Sequence, residues 1–175
     1  DLALNKARRV LRSDPDLNID LHRSAARVIR NHGDRSDLPF LLRHMDREDH
    51  DQLASHSLWQ ALGLISRLEK SERDGAREGV AKKVVQWLDS RDLRLQQAGL
   101  YGLQSAGSKD DIDAIQALRA RTTLPSLQSR AEDAISTIRE RREEPEPEGA
   151  EVADELEALS ERIEALEKAL EEEKS

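Results

Sequence analysis

Apolar residues recur along this chain in four segments of one pattern. Leu21, Ala25, Val28 and Ile29 are separated by steps of 4, 3 and 1. Leu127, Ala131, Ala134 and Ile135 repeat those steps, and Ile138 extends them. Leu95, Gly102 and Leu103 line up with Leu21, Val28 and Ile29, and Ala61 and Leu62 line up with Val28 and Ile29. This spacing gathers each set on one face of a helix. Each segment is preceded by another apolar stripe. The stripes are Leu4, Ala7, Val10 and Leu11; Leu38, Leu41, Leu42 and Met45; Val80, Val84, Trp87 and Leu88; and Ile112, Ile115 and Leu118. The pattern predicts helices over 2–12, 17–32, 37–46, 51–69, 75–88, 92–106, 109–121 and 125–142. No stretch sustains strict alternation, so no strands are expected.

Val28, Ala61, Gly102 and Ala134 are separated by 33, 41 and 32 residues, intervals that suit one helix pair per repeat. The long interval is expected to hold an extended helix end and a loop from Arg67 to Gly79. Gly33 and Gly107 sit just past helix ends, where a left-handed residue is wanted. Ser108 with Asp111 reads as a capping box, and Pro15 and Pro125 suit first-turn positions. Gly99 and Gly102 lie inside a helical pattern and predict close helix packing.

The stretches "DLNIDLHRSAARVIRNHGD" and "SRDLRLQQAGLYGLQSAGSKDD" resemble the second helix of a HEAT-type (armadillo-like) repeat. In that family an Asp precedes an apolar residue, small residues follow, and a Gly closes the unit. Here these are Asp20, Leu21, Ala25 and Gly33, then Asp92, Leu95, Ala98 and Gly107. The unit around Trp59 fits the pattern less well. The resemblance implies an all-α chain with a HEAT-like α-solenoid of about four helix pairs over residues 1–142. It says nothing specific about function, since fold does not set function.

Composition changes the picture at the C-terminal end. Residues 143–175 carry 14 acidic and 3 basic side chains, against 22 and 25 in residues 1–142. The overall charge of −8 therefore belongs to the tail, and the repeat region is nearly neutral. "REEPEPEGAE" places an acidic, Pro-containing linker over 143–151, where Pro145 and Pro147 stop the helix. Val152, Leu156, Leu159, Ile163, Leu166 and Leu170 then step by 4, 3, 4, 3 and 4. That is an a/d seam, and it predicts a short coiled-coil helix over 152–173. A self-associating homodimer and an amphipathic helix that folds back or stays solvated remain equal alternatives, because excess Glu repels along the helix.

Candidate chemistry is sparse. The chain has no cysteine, which excludes disulfides, thiolate nucleophiles and thiolate metal sites. His44, Asp46, Glu48, Asp49, His50, Asp51 and His56 form the densest set of metal-ligating types. Their spacing scatters the rings over different helix faces, and the carboxylates suit a capping turn. Ser55-His56-Ser57 puts hydroxyls beside an imidazole, but neighbours on a helix point apart. No catalytic residue, metal site or cofactor is assigned, and the chain is not expected to be an enzyme. Arg23, Arg27 and Arg30 form a basic stripe on one helix face, a candidate for binding a protein or peptide partner. Gln97, Tyr101 and Gln104 replace it in the third unit, so nucleic acid is disfavoured as a ligand. No run of apolar residues is long enough for a membrane helix, and a cytoplasmic setting is expected.

The layout, with "LRARTTLPSLQSRAEDAISTIRERREEPEPE" leading to "LEALSERIEALEKALEEE", is similar to the C-terminal helical domain plus coiled-coil tail of bacterial aminopeptidase N-like (gluzincin) zinc metallopeptidases. The family's zinc ligands, general-base Glu and amine-recognition motif have no counterpart here, so no site residue carries over. That resemblance implies a non-catalytic domain that shapes the substrate chamber of an upstream catalytic domain. The opening at Asp1 without an initiator Met, inside a helical pattern, fits an expected piece of a longer chain. The alternative of similar weight is a stand-alone HEAT-repeat scaffold that binds a protein partner and dimerises through its tail. A cofactor-protein lyase or a nucleic-acid reader built on HEAT-like units is the least favoured reading.

Overall fold

A computed structural model describes residues 2–13, 18–46 and 51–141. Among them the chain is all-helical, with eight α-helices and no strand: α1 Leu2–Arg12, α2 Ile19–His32, α3 Leu38–Met45, α4 Asp51–Ile65, α5 Lys70–Trp87, α6 Leu93–Ala106, α7 Ile112–Arg121 and α8 Pro125–Glu140. A compact unit spans Asp1–Arg139, and the seam residues Val152, Leu156, Leu159, Ile163, Leu166 and Leu170 lie outside the described residues, as do Pro15, Glu48, Asp49, His50 and the linker. Within the compact unit α1 packs on α2, α3 on α4 and α5 on α6. A second set of contacts joins α1 to α3 and α3 to α5, and a third joins α2 to α4 and α4 to α6. Gln104 of α6 donates to Thr137 of α8 at 3.1 Å, so α8 follows on beside α6. No described helix is long and apolar enough to cross a membrane.

The core is aliphatic, as the stripes predict. Ala7, Leu11, Leu41, Met45, Val80, Val84, Ile115, Leu118, Leu127 and Ala134 are all buried. Leu21 is the exception, at 49% exposed, while its neighbour His22 is 1% exposed. The inward position in the first turn of α2 thus belongs to a histidine, and Leu95, its partner in the sequence pattern, is buried on α6. The N-cap of α2 is Asn18, whose Oδ1 accepts from the Leu21 N–H at 2.9 Å. Asp20 lies inside the helix. Asp92 does cap α6, accepting from the Arg94 N–H at 2.8 Å.

Two further corrections have physical causes. Lys70–Asp74, left between the helices expected over 51–69 and 75–88, is helical and belongs to the polar first half of α5. The polar surface of that half hides one inward residue, Ala76, and Arg73 Nε donates to the Leu68 carbonyl at 2.7 Å to hold the preceding turn. Gly33 and Gly107 are not left-handed: their φ angles are −78° and −69°. A Cβ there would lie 2.6 Å from the Ile29 or Leu103 carbonyl oxygen, so each glycine is required by collision with its own helix end. The capping box at Ser108 and Asp111 is present, and an equal one joins Asp34 and Asp37. Both boxes start a 3-10 turn that runs into the next helix.

Asp37 also meets Arg8 of α1. The guanidinium donates to both carboxylate oxygens, Nε at 2.6 Å and Nη2 at 2.8 Å, a two-point geometry that lysine cannot copy. Close packing of α5 on α6 uses the two interior glycines. A Cβ on Gly102 would meet Val84 Cγ1 at 2.9 Å, and one on Gly99 would lie 3.0 Å from the Val84 carbonyl.

Candidate binding face on α2, α4 and α6

The basic stripe lies along α2. Arg27 and Arg30 are exposed, and Arg23 is partly covered. Arg23 is held by neighbours: Nη2 donates to Gln52 Oε1 of α4 at 2.9 Å, and Nη1 lies 3.6 Å from Asp20. Arg27 and Arg30 meet no carboxylate among the described residues. The Arg30 stem lies directly over Gly63 of α4, so close that a Cβ there would collide with its Nε. Arg67, just past α4, donates to the Arg30 carbonyl. Among the described residues, four guanidinium groups therefore share this region and one carboxylate, Asp20, pairs with them.

On α4 the residues facing the stripe continue through His56 to Trp59. His56 Nε2 lies 3.2 Å from the Arg23 carbonyl. A carbonyl only accepts, so Nε2 carries the proton and Nδ1 the lone pair. Burial holds the His56 pKa below its ordinary value. The Arg23 and Arg27 charges push it the same way, against the carbonyl bond that favours the charged ring.

Trp59 is 49% exposed and contacts Tyr101 of α6, with ring centroids 4.2 Å apart and planes tilted by 41°. These two rings are half of the four aromatic residues in the chain; Trp59 is exposed and Tyr101 is partly buried. Tyr101 continues into a shallow groove between α6 and α8, lined also by Leu100, Gln104, Ser126, Ser129, Arg130 and Asp133. The face therefore runs from guanidinium groups on α2, through an aromatic pair, to a groove of mixed charge and hydroxyl groups on α8.

The aromatic contact leaves no mark on the stripe pattern, where Tyr101 enters only as the residue that ends the arginine stripe. Trp59 lies in the unit whose register fits the repeat least well. The usable signal was a tryptophan sharing a helix face with Gln52, Ser55 and His56.

The other candidates resolve differently. His44 does not belong to a solvated turn: it is buried against His22, with Nε2 of His44 2.8 Å from Nδ1 of His22. His44 Nδ1 lies 2.8 Å from the Phe40 carbonyl and must donate to it. Its Nε2 then accepts from His22 Nδ1–H when both rings are neutral. His22 Nε2 lies 3.3 Å from Ser13 Oγ, whose own proton goes to the Val10 carbonyl at 2.7 Å. This pair ties α2 to α3. No group of three metal-ligating residues converges among the described residues. Ser57 is buried and its hydroxyl has no partner, so it does not bond to His56.

Comparison with known protein families, curated proteins and solved structures finds no match for this chain.

Proposed function

We propose that residues 1–142 form a HEAT-like α-solenoid carrying a 152–173 coiled-coil helix, and that the protein is a non-catalytic module binding a protein partner across α2, α4 and α6. The succession of helix contacts supports the solenoid reading: α1–α3–α5 and α2–α4–α6 form two sets joined pair by pair. Stacked pairs of this kind leave an extended surface for recognition. The observation that carries the binding role is the exposed Trp59, seated against the partly buried Tyr101. Aromatic side chains supply large contact area at little entropic cost and dominate many interfaces. In a chain otherwise built on aliphatic residues, placing a half-exposed tryptophan on a polar helix face is costly to solubility and useful for binding.

This reading suits both settings suggested by the sequence. In a stand-alone scaffold the partner is a separate protein. In an aminopeptidase N-like chain it is the upstream catalytic domain or the peptide that domain encloses.

The test compares the full chain with the Trp59→Ala/Tyr101→Ala variant, matched by circular dichroism, as bait in an extract of the source cells. Captured proteins are identified by mass spectrometry and re-bound in purified form. A partner held by the wild type and lost by the variant is expected. Equal retention of every purified partner by both baits would refute the assignment of this face.

A further inference from the structure

The geometry points to an acidic peptide segment bearing apolar side chains as the ligand of this face, an inference that rests on the partner-binding reading above. Arg23, Arg27 and Arg30 occupy i, i+4 and i+7 on α2, so successive side-chain roots are about 5–6 Å apart. Carboxylates one helical turn apart, or on alternate residues of a strand at about 7 Å, match that spacing. Among the described residues the carboxylate paired with the stripe is Asp20, which lies 3.6 Å from Arg23 and is highly exposed. Arg30 gains from the carbonyl end of α2, but Arg27, one turn earlier, gains little from that dipole. Its charge is open to a ligand.

Arg30 is also held in place. Gly63 provides a seat for its stem that any Cβ would fill, and the Arg67 bond to the Arg30 carbonyl fixes the backbone beneath. An arginine restrained before binding loses less entropy on forming its hydrogen bonds. Trp59, one turn before Gly63 on α4, gives the apolar part of the ligand a surface next to these charges.

Peptide is favoured over single-stranded nucleic acid for two reasons. Bases need open aromatic faces on which to stack, whereas Trp59 and Tyr101 pack on each other. The repeat region also has only 25 basic side chains against 22 acidic ones, without the excess that phosphate backbones demand.

The experiment uses the full chain and three fluorescein-labelled probes: a short peptide of alternating Glu and Leu, its Gln-for-Glu counterpart, and oligo-deoxythymidine. Anisotropy is read at physiological salt. The Glu peptide is expected to bind saturably, with the Gln peptide weaker by about tenfold or more. Arg27→Ala/Arg30→Ala is expected to weaken the Glu peptide about tenfold. Gly63→Ala, which removes no charge but unseats Arg30, weakens it in the same direction. Helicity is unchanged in each, and Arg43→Ala on α3 leaves the affinity unaltered. The inference is overturned if the wild type fails to bind the Glu peptide, if the Gln peptide binds equally, or if the arginine variants bind like wild type. Tighter binding of oligo-deoxythymidine assigns the face to nucleic acid and also overturns it. If the arginine variants are silent while Trp59→Ala/Tyr101→Ala weakens binding, the face stands and only its acidic preference falls. If neither pair matters, both readings fall.

Discussion

Replacing Gly107 tests why a glycine closes α6. Its N–H donates to the Leu103 carbonyl at 2.7 Å, with φ at −69°. A Cβ added here would stand 2.6 Å from that same oxygen and 3.2 Å from Ile138 Cδ1 of α8. The backbone must move away from Leu103, which weakens the capping hydrogen bond, worth about 0.5–1.5 kcal/mol. Pressure on Ile138 adds an overpacking cost of about 1–3 kcal/mol. Loss of glycine's freedom in the unfolded chain returns about 0.4–1 kcal/mol. The net expectation for Gly107→Ala is a loss of about 1–3 kcal/mol, or roughly 4–10 °C in Tm. Gly107→Asn separates this account from a left-handed cap. Asparagine tolerates the left-handed region far better than alanine, so a left-handed cap would make Asn clearly the milder change. Collision makes the two equally damaging, because both carry the same Cβ. Thermal unfolding followed by circular dichroism reads the difference, and an Asn variant close to wild type in Tm would refute the collision argument.

Other outcomes follow from the same geometry. His44→Leu leaves the His22 Nδ1–H without this acceptor in a buried site and should cost about 1–3 kcal/mol in chemical denaturation. The His22→Gln/His44→Leu double variant should recover part of that, since Gln96 and Leu118 fill the corresponding places in the later unit; no recovery would deny the pairwise link. Stability should fall on acidification in two stages. The His56 pKa is lowered from its ordinary value of 6.5, so the unfolded chain takes up a proton first, and stability declines as pH drops below that value towards the folded pKa. Asp34 and Asp92 are lowered from 3.8, chiefly by the Ser36 hydroxyl and the Arg94 N–H respectively. Their contributions are present above the ordinary carboxylate range and disappear as pH falls through the depressed values. Denaturation midpoints across this range, with His56→Gln removing the first stage, provide the check. For the proposed tail seam, Leu159→Asp should lower the oligomeric mass in light scattering while helicity of the repeat region persists; an unchanged mass would rule out association through Leu159.

How much was legible in the sequence depended on whether burial alone decided a feature. Apolar periodicity records burial, so the eight helices and most inward residues could be read from it. It failed at Lys70–Asp74, where no residue is buried to leave a periodic trace. It failed at Leu21 because a histidine took the inward place, and periodicity treats His22 as polar. Contacts between side chains on different helices leave no periodic trace at all. Arg8 with Asp37, His22 with His44, Arg30 over Gly63 and Trp59 against Tyr101 each join residues far apart in sequence.

The spacing of caps along the chain nevertheless carries information about the face that apolar stripes do not. One offset takes Gly33 to Gly107, the Asp34–Asp37 box to the Ser108–Asp111 box, and Arg27 to Tyr101. Because the caps and collisions are the same at both places, the helix that carries Tyr101 presents it as α2 presents Arg27. The replacement of arginine by tyrosine is then a change of chemistry along one continuous face. Positive charge lies over α2, aromatic surface over α4 and α6, and Ser126, Ser129, Arg130 and Asp133 over α8. A ligand matched to that order places its carboxylates over Arg27 and Arg30 and its apolar side chains over Trp59. Reversing the order of acidic and apolar blocks in a peptide should therefore change its orientation on the face. A fluorophore on the acidic end should report proximity to α2 in either case, and proximity to α8 for either order would contradict the arrangement.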